Sequence, residues 1–230
     1  MFIRLLFSFA ALLFSSMGFA QIYAEISSGY SFTTVSPNFR NTFELDSRVD
    51  SSFGRDHQIS FSGPISSKMR YLFRMGYNQH RIHVFHSKRE SQSFTEQLDG
   101  RMQSRYLNLM AAPIWHKGER LEFTYGLGFY AGFLFYSRFD GTLKIIDGTE
   151  TTVYELRNST PMSYRDMATG LFTTLGLHYS LSPKIKVGLA TDLILFLSAK
   201  NLIFQDTGSV NEINMRLGVS YKFEKRPDDL

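Results

Sequence analysis

The chain has 230 residues, 43% hydrophobic and 15% aromatic, with 22 Phe and 12 Tyr beside a single Trp. It has no cysteine, which excludes disulfides, cysteine-ligated zinc, thiol catalysis and a lipoprotein anchor. The formal charge of +4 is a mild excess with no basic run or nucleic-acid motif behind it, and the apolar share is too high for a disordered chain.

Residues 1–20, MFIRLLFSFAALLFSSMGFA, read as a secretory signal peptide that is cleaved. Arg4 precedes an apolar stretch from Leu5 to Phe14, and Gly18 and Ala20 supply the small residues of a cleavage site before Gln21. The stretch is short for a bilayer span of about 20 residues. Later apolar runs, such as Leu193–Leu197, are shorter still, so a membrane could be crossed only by strands.

From Gln21 the dominant period is two. A first strand carries Ile22, Ala24, Ile26, Ser28, Tyr30 and Phe32 on one face. Ile59, Phe61, Gly63 and Ile65 mark a second. Tyr71, Phe73, Met75 and Tyr77 mark a third, with Arg70, Arg74 and Asn78 opposite. Leu107, Leu109, Ala111 and Pro113 mark a fourth. Residues 121–136 set Leu121, Phe123, Tyr125, Leu127, Phe129, Ala131, Phe133 and Phe135 against a face that includes Glu122, Thr124, Gly126, Tyr130 and Tyr136. The sixth strand sets Leu171, Leu175 and Leu177 against Gly170, Gly176 and His178. The seventh sets Ile185, Val187, Leu189, Leu193 and Leu195 against Lys186, Gly188 and Asp192. The eighth sets Ile213, Met215, Leu217, Val219, Tyr221 and Phe223 against Asn214, Arg216, Gly218 and Lys222.

Short connections at 66–68, 116–120 and 182–184 alternate with long ones at roughly 35–56, 86–101, 138–165 and 198–211. An even strand count with short turns at one end and long loops at the other is the pattern of a transmembrane β-barrel. In hydrocarbon every backbone N–H and C=O must be paired within the protein, so only helices and closed sheets cross. A soluble exported sandwich or lipocalin-like barrel would carry charge on its outer face. Here the face opposite the apolar one is poor in charge and rich in Gly, Ser, Thr and Asn, which suits a cramped interior. The expected architecture is an all-β, antiparallel up-and-down barrel of eight strands over 21–223, followed by a short periplasmic tail at 224–230.

The segment Tyr106–Trp115, YLNLMAAPIW, resembles the Tyr-Leu-x-Ile-Pro-Leu-Leu strand of the PorT-like outer-membrane β-barrel family of Bacteroidota. Gly126-Leu127-Gly128-Phe129-Tyr130-Ala131-Gly132-Phe133 is similar to that family's Gly-x-Gly-x-Tyr-x-Gly-x strand. Asp166 to Gly170 resembles its Asp-x-Gly entry to the sixth strand, with a longer spacing here, and Leu217–Phe223 its closing strand. The resemblance covers about residues 21–223. It implies an outer-membrane location in a Gram-negative bacterium and a link to type 9 protein secretion.

An eight-stranded barrel is just wide enough to be filled by its own side chains, so a free diffusion pore is not expected. Charges pointing inward must then be paired. The expected interior network is Glu25, Arg74, Glu122, Asp192, Arg216 and Lys222. Asp192 should meet Arg216 across the seventh and eighth strands, and Glu25 should lie near Lys222 where the first and last strands close.

No catalytic, metal or cofactor-binding residue is expected. His80, His83 and His86 alternate faces, and His80 and His86 lie about 20 Å apart along a strand, too far for one metal. They read as an exposed extracellular strand end. His86-Ser87-Lys88 departs from the His-x-Ser-Asn signature of a lipid A deacylase, and His178 with Ser180 falls at the inner turn. The loop spanning 80–105 holds Arg81, Lys88, Arg89, Arg101 and Arg105 against Glu90, Glu96 and Asp99. It could meet lipopolysaccharide phosphates, or it could simply be a solvated loop of mixed charge. Thr142–Leu156 reads as a β-hairpin around Asp147-Gly148, extending strands five and six beyond the membrane. If it entered the barrel instead, the count would rise to ten.

These readings imply a small, non-catalytic outer-membrane protein with a structural or interaction role. The expected partners are outer-membrane lipid and lipopolysaccharide, the barrel-assembly machinery during insertion, and an envelope protein; nucleic acid and cofactors are not expected. The alternatives are a component of a type 9 export machine, a lipid-A-modifying enzyme and a narrow channel.

Overall fold

The computed structural model describes residues 22–36, 45–49, 52–89, 94–160, 167–198 and 209–223. The expected signal peptide at 1–20 and tail at 224–230 lie outside the described residues. The strands are β1 (Ile22–Ser36), β2 (Leu45–Val49), β3 (Ser52–Pro64), β4 (Met69–Arg89), β5 (Phe94–Lys117), β6 (Leu121–Asp147), β7 (Glu150–Thr160), β8 (Met167–Ser180), β9 (Ile185–Ser198) and β10 (Ser209–Phe223).

Eight of them close a circuit of antiparallel neighbours, β1-β3-β4-β5-β6-β8-β9-β10 and back to β1. The closing pair runs from Ile22 opposite Phe223 to Ser36 opposite Ser209, so no sheet edge is left in the barrel wall. β2 pairs the upper part of β4, and β7 pairs the upper part of β6. The hairpin around Gly148 therefore lengthens β6 without entering the barrel, and the barrel count stays at eight. Gly148 (φ +59°) and Gly118 (φ +102°) occupy left-handed backbone, at this hairpin tip and in the short β5–β6 turn.

The alternation in the sequence sets the two faces of the wall. Ile26, Phe129 and Leu217 point outward and are 70%, 73% and 70% exposed, while their neighbours Ser27, Tyr130 and Arg216 are buried in the lumen. Aromatic side chains gather at both ends of the apolar outer band. At the turn end Trp115 stacks on Tyr125 at 5.7 Å, near Phe123, and Tyr221 meets Phe223 at 4.9 Å. At the loop end Tyr30 meets Phe53 at 6.3 Å and Tyr77 meets Phe135 at 6.0 Å. Paired aromatic girdles around an apolar band are the exterior of a transmembrane barrel.

Several findings depart from the sequence expectation. The segment 80–105, expected as a loop, is strand over most of its length, with β4 running to Arg89 and β5 starting at Phe94. A bulge interrupts β6: Tyr106 pairs Leu134, but Arg105 pairs Tyr136, which leaves Phe135 as an extra residue. Above it the parity reverses. Ser137 is buried inside, and Tyr136 faces outward, where the Arg105 guanidinium sits 4.6 Å from its ring. The lumen also holds an apolar cluster among its polar side chains. Leu72, Met110, Ala112, Ile114, Tyr130, Phe172 and Ile194 form a packed cluster against the β5–β6–β8–β9 wall. Polar side chains point inward from every strand of the circuit, among them Ser27, Asp56, Arg74, Asn108, Glu122, Thr174, Asp192 and Arg216.

Candidate functional site

The lumen is built in levels. At the turn end, Arg70 on β4 donates to both carboxylate oxygens of Glu122 on β6, at 2.8 and 3.0 Å. Lys186 on β9 donates to the same carboxylate at 2.8 Å. Both cations lie over the Tyr23 ring, at 4.6 and 4.8 Å. One step higher, Glu25 on β1 faces His178 on β8 at 3.9 Å. Glycines make room for this pair: a Cβ on Gly188 would collide with the His178 ring, and one on Gly218 with the Glu25 carboxylate. A cavity of about 40 Å³ lies here among Glu25, Ser60, Arg74, Thr174, His178 and Ser220.

The middle level crosses the lumen. Arg216 on β10, 1% exposed, donates to Asp56 on β3 at 2.9 Å and to Asp192 on β9 at 2.6 Å. Arg74 on β4 reaches the same Asp192 from the far wall, at 2.8 and 2.7 Å. Gln58 completes the shell of Asp56 with contacts at 3.0 and 2.9 Å. Two guanidinium groups thus face two carboxylates, and the cluster is neutral as a unit. Higher still, Asn78 donates to Glu212 at 2.6 Å, and His80 stands 3.6 Å from the same carboxylate and 3.0 Å from the Thr33 hydroxyl. On the apolar wall the Tyr130 hydroxyl donates to Asn108 at 2.7 Å.

Of the six residues expected in an interior network, the structure brings Arg74, Asp192 and Arg216 into one cluster. Glu122 belongs to a separate cluster at the mouth. Glu25 is placed against His178 and stands opposite Ser220 in the sheet, one step along from the Tyr23–Lys222 pair. Lys222 is half-buried, and its backbone N–H donates to the Lys184 carbonyl at 2.8 Å. His80 is buried inside the barrel, unlike the exposed strand end expected for it.

Asp56, Gln58, Glu212 and the inward role of His80 are not visible in the apolar alternation. Asp56 and Glu212 fall at the loop-side ends of β3 and β10, past the last apolar residue by which those strands were bounded. The signal available was phase: both sit at even steps from Ser60 and Arg216, on the inward face.

The outer wall carries a second feature. Ser28 on β1 and His57 on β3 point outward and share a hydrogen bond of 2.8 Å. His57 also stacks on Tyr77 at 6.5 Å. Among the described residues no carboxylate is hydrogen-bonded to His57.

No protein-family model and no curated protein sequence matches the chain. Solved structures do. The outer membrane protein OprG from Pseudomonas aeruginosa is similar with a TM-score of 0.51 at 14% identity, covering 91% of this chain and 99% of that one. Neisserial surface protein A is similar with a TM-score of 0.48 at 14% identity, covering 88% and 97%. Ail, the attachment invasion locus protein of Yersinia pestis, gives a TM-score of 0.43 at 13% identity, covering 89% and 99%. Such identities speak to fold alone, and the likeness to OprG carries it: the chain is a closed, eight-stranded, antiparallel barrel of the kind found in outer-membrane proteins.

Proposed function

We propose that this chain is a small integral protein of the outer membrane of a Gram-negative bacterium, exported by a cleaved signal peptide, with its short turns in the periplasm. Its role is structural or interaction-based, through the strands and loops that rise beyond the membrane, and it neither conducts nor catalyses. The observation that carries this is the crossing of the lumen by Arg74, Asp192, Arg216 and Asp56 inside an apolar outer band. A plugged, charge-paired interior leaves the outer wall and the loops as the surfaces on which the protein can act. The resemblance of 106–133 and 217–223 to PorT-like barrels supports a Bacteroidota origin, and it motivates a test of protein export. Refolded protein in planar bilayers should show no conductance, with a folded form that migrates differently from the boiled one. Steady open-channel current would contradict a closed lumen. If deletion of the gene stops cargo secretion, the interaction role is that of an export component.

A second reading is a lipid-modifying hydrolase, and the Ser28–His57 hydrogen bond on the lipid-facing wall favours it. A serine needs a base within hydrogen-bond reach to act as a nucleophile, and this pair meets that condition. Mass spectrometry of lipid A from cells with and without the gene decides it: unchanged acylation removes the enzyme, and a lost or gained acyl chain that depends on Ser28 establishes it.

A further inference from the structure

The arginines beyond the apolar band form a compact group on one side of the barrel. Reading across the wall in register, Tyr30, Arg55, Gln79, Arg105 and Tyr136 occupy one outward row over β1, β3, β4, β5 and β6. The next row outward holds Arg81, Gln103 and Arg138, and the one after it His83, Arg101 and Asp140. Neighbouring strands lie about 4.8 Å apart, so Arg55 and Arg105, or Arg81 and Arg138, are separated by about 10 Å at the backbone. Arg81 and Arg105 are diagonal neighbours at about 7–8 Å. On β3 to β6 five guanidinium groups share this patch with two carboxylates, and β7 continues it with the Arg157–Glu155 pair at 3.8 Å. Asp99 is engaged by His83 at 2.8 Å, and Asp140 by Arg138 Nε at 2.8 Å. Arg55, Arg81 and Arg101 are exposed and make no ion pair with another described side chain.

Directly beneath, on the same strands, the wall is apolar. Met75, Leu107, Phe129 and Phe135 are 44%, 42%, 73% and 47% exposed, and Tyr77 packs beside Phe135. Among the described residues the opposite wall has no comparable group: the outward faces of β8, β9 and β10 run through Leu175, Leu193, Leu195, Ile213 and Met215, with no arginine among them. One side of the barrel therefore presents clustered cations immediately above an apolar surface. That arrangement complements a molecule with anionic groups at the top and hydrocarbon chains below.

We infer that the outer face of β3–β6 binds an acylated, phosphorylated glycolipid of the surrounding leaflet. Arg55, Arg81, Arg105 and Arg138 hold its phosphate groups, and its acyl chains lie on Leu107, Tyr77, Phe129 and Phe135. Guanidinium suits this task, since its planar fork offers paired donors to phosphate oxygens and it is more weakly hydrated than an ammonium. Polar groups at the edge of hydrocarbon strengthen such contacts, because there is less water to compete for them. The inference rests on the outer-membrane proposal above and deepens it by naming the lipid and the wall it occupies.

The test uses the refolded full barrel in detergent micelles, with bis-phosphorylated lipid A as probe and bound lipid read by native mass spectrometry. The triple variant R81Q/R105Q/R138Q should lose affinity by about 10-fold or more, while a charge-matched control at the turn end, K68Q/K117Q/K184Q, keeps it. Dephosphorylated lipid A should bind the unaltered barrel as weakly as the phosphorylated lipid binds the triple variant. Free inorganic phosphate should not displace the lipid, because it lacks the chains. Equal affinity in the triple variant and the unaltered barrel would overturn the site, as would an equal loss in the lysine control or full binding of the dephosphorylated lipid. Heat-modifiable migration of each variant separates the possible failures. A variant that keeps the folded band yet binds normally rejects the site alone. A protein that never shows such a band, and stays in solution without detergent, rejects the membrane barrel itself.

Discussion

Arg216 holds the interior together because it is the only side chain of the middle cluster that touches both aspartates. Replacing it with Met leaves Asp56 with no guanidinium and Asp192 with Arg74 alone. Breaking a buried ion pair from one side costs about 3–5 kcal/mol, since the remaining charge keeps its desolvation cost. R216M should therefore lower the unfolding free energy in urea, measured in micelles, by that amount. K184Q at an exposed turn should stay within about 0.5 kcal/mol. On the outer face the sign of polarity is the reverse. L189R would put a guanidinium into the lipid-facing band at a cost of about 2–4 kcal/mol at the midplane, and the same urea titration reads it. Parity alone made Asp192 and Arg216 legible as interior partners, because alternating phase fixes which way a strand residue points. It did not reveal Asp56 or Glu212. Both lie just beyond the alternating apolar runs from which those strands were read, beginning at Ile59 and Ile213, while the backbone ladder continues past them.

The elements differ in length, and the difference falls on one side of the molecule. β4, β5 and β6 run for 21, 24 and 27 residues, against 13–15 for β1, β3, β8, β9 and β10. The excess forms a sheet beyond the membrane band, flanked by β2 and β7. A transmembrane strand needs only about 9–11 residues, so roughly the last ten of β6 serve another purpose. The Phe135 bulge marks the changeover. It turns Arg138 outward and Ser137 inward at the point where the wall leaves the apolar band. The hairpin about Gly148 was legible from its turn chemistry. The bulge was not, because LFYS gives no sign of which residue is the extra one. The absence of native cysteine makes sidedness simple to measure. On intact cells V153C and E155C should react with a membrane-impermeant maleimide, while K68C and K184C should react only after lysis. The opposite labelling would invert the protein in the membrane.

At the scale of the whole molecule, the apolar exterior and the charge-paired interior are one design read from two sides. The closed circuit removes sheet edges, the girdles fix the height of the band, and salt bridges cross the lumen. Most of this was legible as period two and alternating loop length. The apolar cluster inside the lumen was not. It depends on which strands become neighbours, and so on Met110, Tyr130, Phe172 and Ile194 converging from β5, β6, β8 and β9. The measurement that bears most directly on a lipid-spanning barrel is a spin-label scan of β6 in proteoliposomes, one site at a time from 121 to 140. Labels at 123, 125, 127, 129 and 133 should be accessible to oxygen from the lipid, with protected sites between them, and the phase should reverse after Phe135 so that 138 and 140 meet a water-soluble nickel complex. Odd-numbered sites open to nickel throughout 123–133 would contradict the account, because the apolar face would then meet water instead of lipid.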